Sequence, residues 1–163
     1  MTRFEPLVFA LAQALRERGL RLVTAESCTG GLIAAACTAV AGSSDWFERG
    51  FVTYSNAAKT EAIGVDAALI AAHGAVSEEV ALAMARGALA HSHADLAVAV
   101  TGIAGPGGAT PGKPVGTVWL AWAHRGSPAQ AELLSLPGDR RAVREQTVVH
   151  ALRRVLAMAE ATP

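Results

Sequence analysis

Four stretches of the sequence join residue types and spacings that could do chemistry. The first is Thr24-Ala25-Glu26-Ser27-Cys28-Thr29-Gly30-Gly31. It follows a strand-like run and opens a helix-like one, and ligands of open α/β sheets bind at such strand ends. Free amides at a helix N-terminus can hold an anion or an oxyanion. The paired glycines let a ligand approach the backbone, and Ser27 stands where a nucleophile would be presented. Ser27 and Thr29 could equally do no more than cap the helix. The stretch lacks the Gly-x-Ser-x-Gly elbow of hydrolases and the lysine of a phosphate-binding P-loop.

The second stretch is Thr53-Tyr54-Ser55-Asn56-Ala57-Ala58-Lys59. Ser55 or Asn56 is a natural N-cap, which puts Lys59 in the first helical turn, where the helix dipole disfavours a cation. That field, with burial, lowers a lysine pKa, and a neutral lysine can act as general base for a serine. The plainer reading is a surface lysine. The third stretch, Thr101-Gly102-Ile103-Ala104-Gly105-Pro106-Gly107-Gly108, leaves an apolar strand at its carboxyl end with Lys113 nearby. Its amides could surround a phosphate or a carbonyl oxygen, unless it is merely a long connection. The fourth, Gly138-Asp139-Arg140-Arg141-Ala142-Val143-Arg144, crowds three arginines into the first turns of a helix. A bound anion would relieve that crowding, and so would solvent.

The cysteines and histidines carry a weaker signal. Cys28 adjoins Ser27 and could be a thiol nucleophile, but a free cysteine is more often packing. The histidines are scattered, and His91 and His93 have no carboxylate or cysteine cluster beside them, so no metal site is expected.

The elements that must position these residues follow from periodicity. Residues 5–18 read as a helix closed by Gly19, 21–25 as a strand, and 29–40 as a small-residue helix buried against a sheet. Residues 49–54 read as a second strand, and 57–63 and 67–73 as short helices, the latter stopped by Gly74. Ser77 caps a helix over 78–91. Leu96-Ala97-Val98-Ala99-Val100, within a strand over 95–101, is the continuous apolar run of a buried central strand. After the loop 102–114, with its five glycines and three prolines, come strands over 115–123 and 130–136, joined by a hairpin turn at 125–128. Asp139 caps a last helix to about residue 160. Five strands with helices for both faces predict an α/β fold: a three-layer α/β/α sandwich with a mixed sheet.

Composition bounds the rest. At 163 residues the chain suits one domain, and 52% hydrophobic residues exclude a disordered chain. Fourteen Lys+Arg against fourteen Asp+Glu leave no basic excess for nucleic acid. The most apolar stretch, residues 32–41, has about half the length a bilayer needs. The N-terminus has no signal-peptide layout, so a soluble cytoplasmic protein without nucleic-acid or membrane partners is expected.

Taken in order, Ala25-Glu26-Ser27-Cys28-Thr29-Gly30-Gly31, Tyr54-Ser55-Asn56 with Lys59, Gly102-Ile103-Ala104-Gly105-Pro106, Lys113-Pro114-Val115-Gly116-Thr117-Val118 and Gly138-Asp139-Arg140 resemble the CinA C-terminal domain family. Its enzymatic members are nicotinamide-nucleotide amidases (PncC, NMN deamidases), and the match spans about residues 5–160. The resemblance implies hydrolysis of nicotinamide mononucleotide to nicotinate mononucleotide and ammonia, in pyridine-nucleotide salvage. It implies a serine–lysine mechanism without metal or organic cofactor, on a fold that is usually dimeric. Carried onto this chain, Ser27 would be the nucleophile, Lys59 its base, and Tyr54 would relay or place the proton. Thr29, Gly30, Gly31 and the Gly102–Gly105 loop, Ala104 included, would hold substrate and oxyanion, with Asn56, Thr101 and Arg140 in the same site. Longer relatives have a further N-terminal pyrophosphatase domain, so a stand-alone deamidase is expected. The alternative is a non-catalytic nucleotide- or anion-binding module with a competence- or DNA-damage-related partner.

Overall fold

A computed structural model describes residues 1–163. Eleven helices and strands follow one another, with short 3₁₀ turns at Thr2–Phe4 and Ser43–Asp45. They are α1 (Glu5–Arg18), β1 (Leu22–Glu26), α2 (Leu32–Thr38), β2 (Phe47–Val52), α3 (Asn56–Ile63), α4 (Ala67–His73), α5 (Glu78–Ala90), β3 (Leu96–Gly102), β4 (Thr117–His124), β5 (Gln130–Ser135) and α6 (Arg140–Ala161). The strands form one sheet in the order β2-β1-β3-β4-β5. β1 is parallel to both β2 and β3, whereas β4 is antiparallel to β3 and β5. The expected mixed five-strand sheet is the observed one.

Side-chain alternation along β3 explains the three layers. Leu96, Val98 and Val100 join one core with residues of α1, α2 and α6, while Ala97 and Ala99 join another with residues of α3 and α5. The alanine face lets α5 lie close to the sheet. α5 also lies close to α3: a Cβ on Gly87 would fall 2.0 Å from the Ile63 carbonyl oxygen. That contact fixes the end of the helix carrying Lys59. On the opposite face, α6 buries Val148, Leu152 and Val155 completely. Each such side chain contributes about 1.5–3 kcal/mol through removal from water.

Several boundaries differ from the expected ones. The helix expected over 29–40 begins only at Leu32 and ends at Thr38. Gly30 and Gly31 take left-handed φ values of 58° and 101°, which turn the chain before the helix can start. β2 lies at Phe47–Val52 rather than 49–54, with an irregularity in its pairing between Leu22 and Val23. β4 starts at Thr117 rather than 115, because Gly116 has φ 93° and a turn bond joins the Thr117 amide to the Pro114 carbonyl.

All three parallel strands end on the same edge of the sheet. The chain moves from β1 to β2 on one side and returns to β3 on the other, so β1 and β3 flank a topological switch point. Such a point opens a crevice at the carboxyl ends of the strands. Ser27 follows β1, the Thr53–Lys59 segment follows β2, and the Gly102–Gly105 loop leaves β3.

Candidate active site

The turn after β1 sets the position of Ser27. Its amide donates to the Val100 carbonyl (3.0 Å), its carbonyl accepts from the Gly30 amide (3.0 Å), and the residue is 9% exposed. Lys59 arrives from α3, whose first turn is capped as expected: the Ala58 amide donates to Ser55 Oγ (3.0 Å). Lys59 is 1% exposed, and its Nζ lies 3.0 Å from Ser27 Oγ. The same Nζ donates to the Thr53 carbonyl (3.0 Å) and, at 3.4 Å, to that of Tyr54. No carboxylate is bonded to it. Burial holds the lysine below its ordinary pKa, and nearby Cys28 opposes that only in part. The amine thus meets two backbone carbonyls and the Ser27 hydroxyl.

Cys28 is buried as a thiol. Burial pushes its thiol up to about 12, so at neutral pH it remains protonated packing.

A cleft of about 260 Å³ opens over this pair. Of the residues expected in the site, it brings together Ser27, Tyr54, Asn56, Lys59, Thr101, Gly102, Ala104, Gly105 and Arg140. Thr101 is held by its hydroxyl, which donates to the Ala75 carbonyl at 2.9 Å. The amides of Cys28, Ala104 and Gly105 donate to no acceptor in the chain, although their residues line the cleft. They remain available to a substrate oxygen.

Some expected residues are placed elsewhere. Thr29, Gly30 and Gly31 do not line the cleft. Thr29 is wholly buried and its hydroxyl donates to Glu26 Oε1 at 2.6 Å, because the left-handed turn points it inward. The Gly30 amide is used within the turn. Tyr54 stands at the rim, 59% exposed, and its hydroxyl accepts from Arg140 Nη2 (3.1 Å) rather than bonding to Ser27 or Lys59. Lys113 reaches the His73 carbonyl at 3.3 Å, not the cleft.

The arginine cluster divides. Arg140 bridges two walls of the cleft, donating to the Gly105 carbonyl (2.9 Å) and to Tyr54. No carboxylate pairs with it. Arg141 is paired with Glu145 (3.0 Å) on the surface. Arg144 turns to the carbonyls of Cys28 (3.3 Å) and Thr29 (2.9 Å). Asp139 caps the helix as expected, accepting from the Ala142 amide.

Two features escaped sequence reasoning. Ala75 and Val76, between α4 and α5, form part of the wall, and apolar residues in a connection give no chemical signal. Glu26 is fully buried and accepts from Thr29 Oγ1 and the Ile33 and Ala34 amides. An acid followed three residues later by threonine at a strand end was its only trace.

Comparison with known proteins places the chain in a family. The family model for the CinA C-terminal domain matches residues 5–159. The nicotinamide-nucleotide amidohydrolase PncC of Pseudomonas putida is 55% identical over 152 residues, covering 93% of this chain and 94% of that protein. The protein of the same name from Escherichia coli K12 is 53% identical over 143 residues, covering 88% and 87%. The chain also matches longer relatives of which it spans little more than a third, such as a CinA-like protein of Citrifermentans bemidjiense (58% identical; 94% of this chain, 37% of that one). Among solved structures, competence/damage inducible protein CihA from Agrobacterium tumefaciens superposes with a TM-score of 0.92 at 46% identity, covering 95% of this chain and 94% of that one.

Proposed function

The chain belongs to the CinA C-terminal domain family, and on that premise we propose that it is a nicotinamide-nucleotide amidohydrolase. It converts nicotinamide mononucleotide and water to nicotinate mononucleotide and ammonia. The observation that carries this reading is the buried Lys59 Nζ, 3.0 Å from Ser27 Oγ and free of any carboxylate partner. A strongly basic, solvated lysine could not take a serine proton at neutral pH; one whose pKa is lowered by burial can.

The mechanism follows from that pair. Ser27 Oγ attacks the carboxamide carbon while its proton passes to Lys59 Nζ. The carbonyl oxygen becomes an oxyanion, stabilised by the unspent amides of Cys28, Ala104 and Gly105. Lys59 returns the proton to the departing nitrogen, the C–N bond breaks, and ammonia leaves a nicotinoyl ester on Ser27. Water, deprotonated by the same amine, then hydrolyses the ester to the carboxylate product and restores the serine. Arg140, without a carboxylate partner at the rim, is suited to the substrate's phosphate, and Tyr54, bonded to it, helps to hold it there. Asn56 and Thr101 complete the binding set. Thr29, Gly30 and Gly31 serve through the turn that presents Ser27.

The reading extends to a cytoplasmic homodimer acting in pyridine-nucleotide salvage and using neither nucleic acid nor membrane. Zero net charge and the lack of any helix long and apolar enough to cross a membrane support the last clause.

The test is ammonia release from nicotinamide mononucleotide, in the presence of chelator, by the wild type and by Ser27→Ala. Release by the wild type is expected, with a loss of at least ~10³-fold in the variant. A folded wild type that binds the nucleotide but releases nothing would favour the binding-module alternative.

A further inference from the structure

Glu26 is the one buried carboxylate of the chain, and no cation pairs with it. Its hydrogen bonds come from the turn after Ser27 and from the start of α2: Thr29 Oγ1 (2.6 Å) and the Ile33 amide (2.8 Å) on Oε1, and the Ala34 amide (3.0 Å) on Oε2. A neutral serine or threonine cap would satisfy such amides without burying a charge. The outer side of the same turn is held by Arg144 of α6. It donates to the carbonyls of Cys28 and Thr29 and lies over Gly30, where a Cβ would be 3.8 Å from its Nη2. Arg144 too lacks a carboxylate partner. Two opposite charges are thus spent on a turn of five residues, one from within and one from outside.

We infer that Glu26 and Arg144 are positioning residues for the amide hydrolysis, clamping residues 27–31 so that Ser27 meets Lys59 and the Cys28 amide faces the reacting oxygen. The inference rests on the amidase reading. The geometry supplies the link. The Ser27 carbonyl is spent on the Gly30 amide. In a trans peptide the N–H of Cys28 points opposite to that carbonyl, away from the turn's interior. Fixing the turn therefore aims both the nucleophile and an oxyanion donor. Releasing either side would leave the Ser27 amide bonded to the Val100 carbonyl but loosen the Ser27 hydroxyl against Lys59 and the peptide beyond it.

Thr29→Val removes one hydroxyl donor from Glu26 with little change of shape, and Arg144→Lys keeps the charge but cannot fork to two carbonyls. Both avoid the folding risk of Glu26→Gln. Four quantities are measured: kcat and KM for nicotinamide mononucleotide, the thermal midpoint, and the rate at which a fluorophosphonate phosphonylates Ser27 with loss of fluoride. Both variants are expected to lose kcat on the order of 10- to 100-fold, the cost of a misplaced reacting group. KM should stay within about twofold, because no ground-state contact is removed. Phosphonylation should slow in parallel, and Thr29→Ser should recover most of the lost kcat. Wild-type kcat in both variants would overturn the inference, as would a change confined to the thermal midpoint or a loss that Thr29→Ser shares. If the wild type takes the label but releases no ammonia, the amidase reading fails while the labelling rates still judge the clamp: slowed labelling upholds it and equal labelling overturns it. A wild-type Ser27 that takes no label overturns it as well, since no activated nucleophile is there to be positioned.

Discussion

The turn after β1 and the loop after β3 meet at the same cleft and are built on opposite plans. In residues 27–31 most polar groups are spent inside the protein: the Ser27, Thr29 and Gly31 carbonyls on local amides, the Cys28 and Thr29 carbonyls also on Arg144, and the Thr29 hydroxyl on Glu26. In residues 104–108 the amides of Ala104, Gly105, Gly107 and Gly108 donate to nothing in the chain, and Gly107 and Gly108 are exposed. If Ser27 is the nucleophile, it needs a fixed position, which the spent carbonyls of its turn provide, although the Cys28, Thr29 and Gly31 amides donate to nothing. A substrate needs partners, so its support keeps donors unspent.

The strongest test of this division acts where the two plans touch, at Lys59. Lys59→Met removes the proposed base and leaves an apolar chain of similar length. Activity should fall by at least ~10³-fold, while the thermal midpoint holds or rises, because an amine that resists charging in its buried site is gone. In the wild type, activity should rise with pH along a limb set by Lys59, centred below lysine's ordinary pKa because burial disfavours the charged form. An acid limb unchanged in Lys59→Met would remove Lys59 from the base's role. The same shift makes a stability prediction. Between the lowered folded pKa and the ordinary value, the unfolded chain holds a proton that the folded chain has lost. Stability should therefore rise with pH through that window and be flat for this group below it. Chemical denaturation of wild type and Lys59→Met across alkaline pH measures the difference in slope.

Arg140 is the next probe, because it joins the two halves through the Gly105 carbonyl and the Tyr54 hydroxyl. Arg140→Gln should raise KM for the mononucleotide by roughly 10- to 100-fold, the worth of a charge-assisted bond of about 1.5–3 kcal/mol. For the nucleoside lacking the phosphate, KM should change little. Equal losses on both compounds would mean that Arg140 holds the loop and not the phosphate.

The same contrast explains what could be read from sequence. Lys59 was legible because Ser55 is a strong cap and helical spacing then fixes where its side chain starts. The central strand was legible because Leu96–Val100 is apolar without a break. The role of Thr29 was not. Spacing gives side-chain direction only on a regular element, and two left-handed glycines end that regularity just beyond it. The arginines were ambiguous for a related reason. Positions 140 and 144 start from the same face of one helix and 141 from the side, and only tertiary packing decides that Arg140 meets the cleft, Arg144 the turn after β1 and Arg141 the solvent.

The smallest effects separate loop shape from loop chemistry. Gly105 has φ 82°, and a Cβ there would fall 2.5 Å from Val115 Cγ1. Gly105→Ala should cost about 1–3 kcal/mol through strain and overpacking, and it should raise KM by tilting the amide that faces the substrate. Gly107 lies two residues further along with no positive φ, and a Cβ there would meet nothing within 4 Å. Gly107→Ala leaves its backbone N–H in place, so stability should stay within about 0.5 kcal/mol and kcat/KM within about twofold. A large loss at Gly107 with normal stability would show that the loop must change its backbone conformation around the substrate. In that event its unspent amides would be a sign of mobility in the working enzyme, and the oxyanion would rest on Cys28 and Ala104 alone.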